Sequence, residues 1–423
     1  MAHIAPFTAL RYDTARAGAM DTLCCPPYDV VSPAQQAALE AKNPYNVIRL
    51  ERPLGADCYR KAAALLHDWR NDGILKSDAA PSYYVYRMDF TDGGVSRGVY
   101  GFFARVSVEP FERGVILPHE ETLSKDKTDR FSLLSETFCN ISPIYGLYED
   151  PGGHIDRTLR TAMAAPPDAS FSDGDGVTHS LWTLAAPEDL SVLTGGLAGQ
   201  RILIADGHHR YETSLAFWEE QKRLNPDLPD DHAFGTTLML LAGSGHPDLV
   251  AWPTHRLVRD LPDFSLDALL EALAEDFTFE SCPAGPDVPA LLSARPNTVG
   301  LYTGGDTVTL LTLKDPNAVR RALPHKSAAY CELAVSLLHA MILEPRLGID
   351  KEKLAAQTNL IYTRSLEEAY AGVRSGAFQC AFLLPPTPVG MIGRVADAGE
   401  RMPQKSTYFY PKPATGLVIH ELR

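Results

Sequence analysis

Cysteine is scarce: seven in 423 residues, and no two stand in a C-x-x-C pair. Structural zinc sites draw on close-spaced ligand pairs, so a zinc-built fold is not expected. The one adjacent pair, Cys24-Cys25, reads as small apolar filler beside the Pro26-Pro27 turn. Long apolar runs are missing too, and none approaches the roughly 20 residues that a membrane span requires. Positive charge is in short supply, with 39 Lys+Arg against 53 Asp+Glu and a formal net charge of −14. A protein whose main work is gripping a nucleic-acid backbone needs a basic face, so no nucleic-acid partner is expected, although a local basic patch stays open. The start, MAHIAPFTALRYD, lacks a basic stretch followed by an apolar one, so a cytoplasmic location is expected. There is no G-x-S-x-G elbow, H-E-x-x-H helix, EF-hand loop or G-x-G-x-x-G fingerprint.

What is present is an ordinary packed composition, 45% hydrophobic and 22% charged. The length suggests two or three domains at about 150 residues each. Strand-like and helix-like stretches are intermixed, so the class expected is α+β, or mixed α/β. NVIRLER (46–52) reads as a strand, and residues 58–71 show helical apolar spacing. SYYVYRMDF (82–90) and SRGVYGFFARVSVE (96–109) read as a hairpin across Gly93-Gly94. GVILPHEETLSKDKTDR (114–130) reads as a short strand running into a polar loop. RILIADGHHRYETSLAFWEEQKR (201–223) is the sharpest local pattern: an apolar strand, a glycine turn and an amphipathic helix. TVGLYTGGDTVTLLTL (298–313) reads as a second hairpin, and residues 328–343 as one long helix. The expected regions are 1–150, 151–261 (sharing one core with the first) and 262–423.

Four constellations carry chemistry. In ADGHHRYE (205–212), Gly207 permits a tight turn and the helix behind it offers free N–H groups and a positive dipole end. With His208, His209 and Arg210 beside them, these form an anion site suited to phosphate. Asp206 can bind Mg²⁺, orient a histidine or cap the helix. The bland alternative is an ordinary capped turn with solvated histidines. In PHEETLSKDKTDR (118–130), His119, Glu120, Glu121, Lys125, Asp126, Lys127, Asp129 and Arg130 crowd one stretch. A carboxylate beside a histidine can act as a general base, and a solvated charged loop is the alternative. In GERMPQKSTYFYPK (399–412), Lys405, Ser406 and Thr407 can touch phosphates without forming a P-loop, and a polar-edged strand is the alternative. WPTHR (252–256) supplies His255 and Arg256, which can extend a basic pocket or serve structure alone. Tyr28 and Asp29 in CPPYDV read as part of a rigid turn.

Taken together and in order, CPPYDVVS, NPYNVIRLERP, LPHEETL, DGHHRYET, PTHR and MPQKSTYFYPK resemble the prokaryotic family known as domain of unknown function 1015, along essentially the whole chain. LPHEETL and DGHHR also resemble the free serine kinases, which have a ParB/sulfiredoxin-like fold. That resemblance implies a ParB-like core with additional α/β regions. It implies Glu120 as catalytic base with His119 beside it, and residues Asp206, Gly207, His208, His209 and Arg210 as the turn that holds the phosphates of ATP or ADP. Mg²⁺ is expected with the nucleotide. A small hydroxylated acceptor such as free L-serine is the expected partner, with Lys405, Ser406 and Thr407 helping to close one shared pocket. A ParB-like nucleotide-binding regulator and a nucleotide or phosphate-ester hydrolase are the competing readings. The oligomeric state is left open.

Overall fold

The computed structural model describes residues 2–120, 124–356, 358–403 and 405–423, without the side chains of 124–127, 351 and 355. The chain divides into two compact units. The first comprises Met1–Pro118, Thr122–Leu249 and Pro411–Arg423, and the second His119–Glu121 and Val250–Tyr410. Strands and helices alternate irregularly through both, which makes the fold mixed α/β. No described helix is long and apolar enough to cross a membrane.

The first unit is built on a mixed sheet. Its strands in chain order are β1 (Ile4–Ala5), β2 (Tyr83–Asp92), β3 (Val95–Ser107), β4 (Ile116–Leu117) and β5 (Ile144–Tyr148). β6 (Ala169–Ser172), β7 (Thr178–Leu184), β8 (Ile202–Asp206) and β9 (Thr236–Gly243) complete it. The spatial order is β4-β8-β5-β9-β3-β2-β7-β6, with β1 paired to β3. The β2–β3 hairpin is as expected from sequence. Gly93 and Gly94 both have positive φ, the backbone a two-residue turn between right-twisted strands requires. β8 runs parallel to β4 and antiparallel to β5, which leaves its C-terminal end, Asp206, near one edge of the sheet. Val85, Phe102, Ile144, Ile204, Leu241 and Tyr211 are buried together against this sheet.

The first unit's helices include α1 (Pro33–Lys42), α2 (Ile48–Glu51), α3 (Cys58–Asn71), α4 (Ser124–Thr137) and α5 (His208–Leu224). α1 starts on a reciprocal Ser32–Gln35 cap with Pro33 in its first position, a combination that satisfies two orphan N–H groups. Two expectations fail here. NVIRLER is not a strand: Ile48–Glu51 is a helical turn, because Asn46 accepts the Ile48 N–H and donates to the Thr22 carbonyl. The polar stretch after 118 is not a loop throughout, since α4 begins at Ser124. Glu121 and the side chains of Lys125, Asp126 and Lys127 lie outside the described residues.

The second unit holds β10 (Val250–Trp252), β11 (His255–Val258), β12 (Phe277–Pro283), β13 (Thr298–Tyr302) and β14 (Thr307–Leu313). β15 (Leu360–Thr363), β16 (Cys380–Leu383) and β17 (Tyr408–Tyr410) follow. Six of them form an antiparallel sheet in the order β12-β14-β13-β16-β11-β15, and β10 pairs with β17 as a separate ribbon. The β13–β14 hairpin through Gly304-Gly305 is as expected. The single helix expected over 328–343 is broken instead, into Ala328–Cys331, Ala334–Leu338 and a wider π-helical turn at His339–Leu343.

The buried His420 ring contacts the Thr236 hydroxyl at 3.0 Å and packs edge-on against Phe7. Burial, with Arg105 nearby, pushes its pKa down from 6.5 to about 3. The unfolded chain therefore takes up this proton first as pH falls, and stability drops between pH 6.5 and that folded value, by about 1.4 kcal/mol per pH unit at most. Urea midpoints measured between pH 7 and pH 5 are expected to fall for the wild type, and the slope to flatten in His420→Asn. An identical slope in both would show that His420 is not the group being titrated.

Candidate functional site

In the first unit the site grows from the end of β8. Ile202, Leu203, Ile204 and Ala205 are buried, so the strand is pinned in the sheet up to Asp206. Gly207 then turns the chain at φ +94°, in the left-handed region, and α5 starts at His208. The N-cap position is this glycine, which has no side chain to cap α5. The first-turn N–H groups of a 17-residue helix thus face the turn with the positive end of its dipole. His208 is buried and His209 half-buried in that first turn.

Asp206 is an ion-pair hub. Its Oδ2 accepts from Arg210 Nη2 at 2.6 Å, and its Oδ1 lies 2.8 Å from Lys412 Nζ. Lys412 also reaches Asp29 Oδ2 at 2.5 Å, and its side chain is only 7% exposed. Arg210 donates in addition to the Pro143 carbonyl, which fixes its guanidinium beside the turn. Asp29 comes from CPPYDV and Lys412 from the segment after β17, so three distant motifs meet at Asp206.

Deeper in the same unit lies a second polar group. Arg130, 6% exposed, donates to the Glu51 carbonyl at 2.8 Å and to Glu51 Oε1 at 3.2 Å, and Ser142 donates to Glu51 Oε1 at 2.7 Å. The Arg130 guanidinium sits 4.1 Å over the Tyr28 ring. Burial pushes the Tyr28 hydroxyl up to about 12, with Arg210 and Arg130 pulling the other way. Burial likewise pushes the Glu51 carboxyl up, countered by Arg130. Glu51, Arg130, Ser142, Arg210 and Thr213 line one small cavity. Glu51 went unnoticed in the sequence because its segment reads as a strand.

In the second unit, His119 and Glu120 meet Met402, Lys405, Thr407 and Phe409. Met402 N donates to the His119 carbonyl at 2.7 Å, and Glu120 pairs with Met402 as an isolated parallel bridge. Lys405 N donates to Glu120 Oε1 at 2.8 Å, and His119 Nε2 lies 2.8 Å from Thr407 Oγ1. Lys405 has φ +56° and an exposed side chain, whereas Ser406 is buried and donates to the Pro403 carbonyl. Arg256 of WPTHR is fully buried and donates from Nη2 to the Lys405 carbonyl at 3.2 Å. Burial lowers its pKa to about 10, against the charges of Tyr362 and Glu120.

The sequence-predicted residues thus form two groups. His119, Glu120, Lys405, Ser406 and Thr407 assemble in the second unit, and Asp206, Gly207, His208, His209 and Arg210 in the first. Among the described residues, no three His, Cys, Asp or Glu side chains converge as a metal set. Both oxygens of Asp206 face cations, so the donor set here does not fit a protein-held Mg²⁺.

A Cβ on Gly207 would lie 3.0 Å from the Arg210 guanidinium carbon, on a backbone that L-residues rarely adopt. Gly207→Ala is expected to destabilise the protein by about 1–2 kcal/mol. Gly195→Ala, in a helix with open space around the new methyl, is expected to be neutral or stabilising. Chemical denaturation of both variants checks this, and an equal response would show that the turn is not conformationally restricted.

Comparison with curated proteins gives no match. Among solved structures, the chain is similar to a conserved hypothetical protein from Pyrococcus furiosus at 12% identity, over 76% of this chain and 94% of that one, with a TM-score of 0.36. A free serine kinase variant in complex with AMP is similar at 12% identity, over 74% of this chain and 87% of that one, with a TM-score of 0.37. C-terminally truncated SbnI from Staphylococcus aureus is similar at 12% identity, over 75% and 86%, with a TM-score of 0.36. The family model described as "Protein of unknown function (DUF1015)" matches residues 4–336. With most of its length matched, the chain belongs to the DUF1015 family.

Proposed function

We propose that this protein is a small-molecule kinase that moves a phosphoryl group from ATP or ADP to a hydroxyl acceptor, with free L-serine the first acceptor to test. The observation that carries the reading is the turn at 206–210. It combines a helix start whose N-cap residue is a glycine in the left-handed region, two histidines and a fixed arginine. Oriented N–H groups and cations are the features that hold polyphosphate, and phosphoryl transfer needs mainly positioning and charge stabilisation.

In this reading Gly207, His208, His209 and Arg210 hold the phosphates and Asp206 fixes Arg210. Glu120, with His119 beside it, accepts the proton of the acceptor hydroxyl. As that O–H bond breaks, the oxygen bonds to phosphorus and the bond from phosphorus to the departing nucleotide oxygen breaks. Lys405, with Ser406 and Thr407 behind it, is the second-rank phosphate contact. A ParB/sulfiredoxin-like core and a cytoplasmic location belong to the same proposal. Mg²⁺ is assigned no step, because the carboxylates at the turn are paired with Arg210 and Lys412. The net charge of −14 supports a small anionic partner over a nucleic acid.

The test is turnover by purified protein with ATP or ADP, a magnesium salt, and L-serine or other small hydroxylated acceptors, read as phosphorylated product by mass spectrometry. Phosphoserine is expected from the wild type. Glu120→Gln is expected to lower kcat about 100-fold or more while nucleotide affinity stays close to wild type. No product with any acceptor overturns the kinase reading. Nucleotide binding without turnover would mark a regulator, and hydrolysis indifferent to acceptor a hydrolase. Full activity in Glu120→Gln would remove that residue from the role of base.

A further inference from the structure

Lys412 takes no part in the roles assigned above, yet it is held by two carboxylates at the turn. Its ammonium lies 2.5 Å from Asp29 Oδ2 and 2.8 Å from Asp206 Oδ1, on a side chain 7% exposed. Those two carboxylate oxygens are therefore no further apart than the sum of the two contacts. Two ionised carboxylates that close repel each other unless a cation sits between them. The balance around the turn is simple. Asp29 and Asp206 carry two negative charges, and Arg210 and Lys412 carry two positive ones. Deeper in, Arg130 faces two carboxylates, Glu51 and Asp129; burial pushes the Glu51 carboxyl towards its neutral form, and Arg52 also acts on Asp129. Without Lys412, an excess negative charge would sit where the proposed ligand, a polyanion, must bind.

We propose that Lys412 is a positioning residue of the phosphate site, which acts by neutralising the Asp29–Asp206 pair so that the 206–210 turn can accept a nucleoside polyphosphate. Its role is distinct from that of a direct phosphate contact. By holding Asp206, it holds the acceptor that fixes Arg210, and by matching Asp29 it ties CPPYDV to the same point. The inference rests on the assignment of the turn as the phosphate cradle, and it adds a residue from a part of the chain that the cradle motif does not include.

The test is nucleotide affinity by calorimetry with ATP and ADP as probes, using the full chain. Lys412→Met is expected to weaken binding about 10- to 100-fold. Removing one of the two carboxylates should then restore it: the double variant Lys412→Met with Asp29→Asn is expected to recover most of the loss. Lys412→Arg, which keeps the charge, is expected to stay within about fivefold of the wild type. A merely structural lysine would lower affinity only in step with a lowered melting temperature, whereas a positioning lysine leaves a folded protein with weak nucleotide binding that Asp29→Asn restores. Wild-type affinity in Lys412→Met overturns the inference alone. So does a loss that Asp29→Asn fails to relieve in a double variant whose circular dichroism and melting match the wild type. If the wild type binds neither nucleotide, the cradle itself and this inference fall together.

Discussion

One ammonium group between two carboxylates organises the candidate phosphate site. A buried charge without a partner is strongly unfavourable, so the buried Lys412 ammonium is stable in place only with the more exposed Asp29 and Asp206 carboxylates on it. The set then fixes more than itself. Asp206 anchors Arg210, whose other contact is the Pro143 carbonyl. Asp29 follows Pro26-Pro27 and Tyr28, and Tyr28 carries the Arg130 guanidinium on its ring face. The geometry of the turn is therefore a shared property of several distant stretches of chain. The glycine at 207 supplies the bend, and the ion pairs supply its orientation.

How much of this could be read from sequence depends on the range of the interaction. The β8–Gly207–α5 unit was legible because each part is local: a run of buried aliphatics, a residue free to adopt positive φ, and a helix of alternating faces. The β2–β3 hairpin was legible for the same reason, through its aromatic strands and two-glycine turn. NVIRLER was misread because its β-branched and apolar residues favour a strand, while the Asn46 side chain and burial of Val47, Ile48 and Leu50 favour a helical turn. The 328–343 stretch has helical composition, but nothing in its apolar spacing announces the breaks around Glu332 and Leu333 or the π-helical turn after Leu338.

The candidate site followed the same rule. Asp206 to Arg210 stood out as a contiguous motif, as did His119-Glu120. The pairings between such motifs did not. Lys412 and Asp29 are 383 positions apart, and no periodicity links them. Arg256 looked like half of a weak His-Arg pair. Its bond to the Lys405 carbonyl, one residue's length from the N–H that holds Glu120, emerges only when β11 and the 402–407 segment are seen together. The overall charge of −14 is likewise silent about a cluster in which cations and carboxylates balance one for one.

The first unit is discontinuous, and its last piece, Pro411–Arg423, follows the whole of Val250–Tyr410 in the chain. That piece supplies Thr415, which pairs with Cys25, Ile419, which pairs with Leu10, and His420, which pairs with Asn140. It also supplies Lys412. During synthesis the first unit's sheet can emerge and begin to pack while its closing segment has yet to be made. A nascent chain stalled before residue 411 would hold Asp29 and Asp206 with no lysine to join them. The ion-pair set around the 206–210 turn is thus among the last features of this unit to be completed, after the intervening unit has been translated.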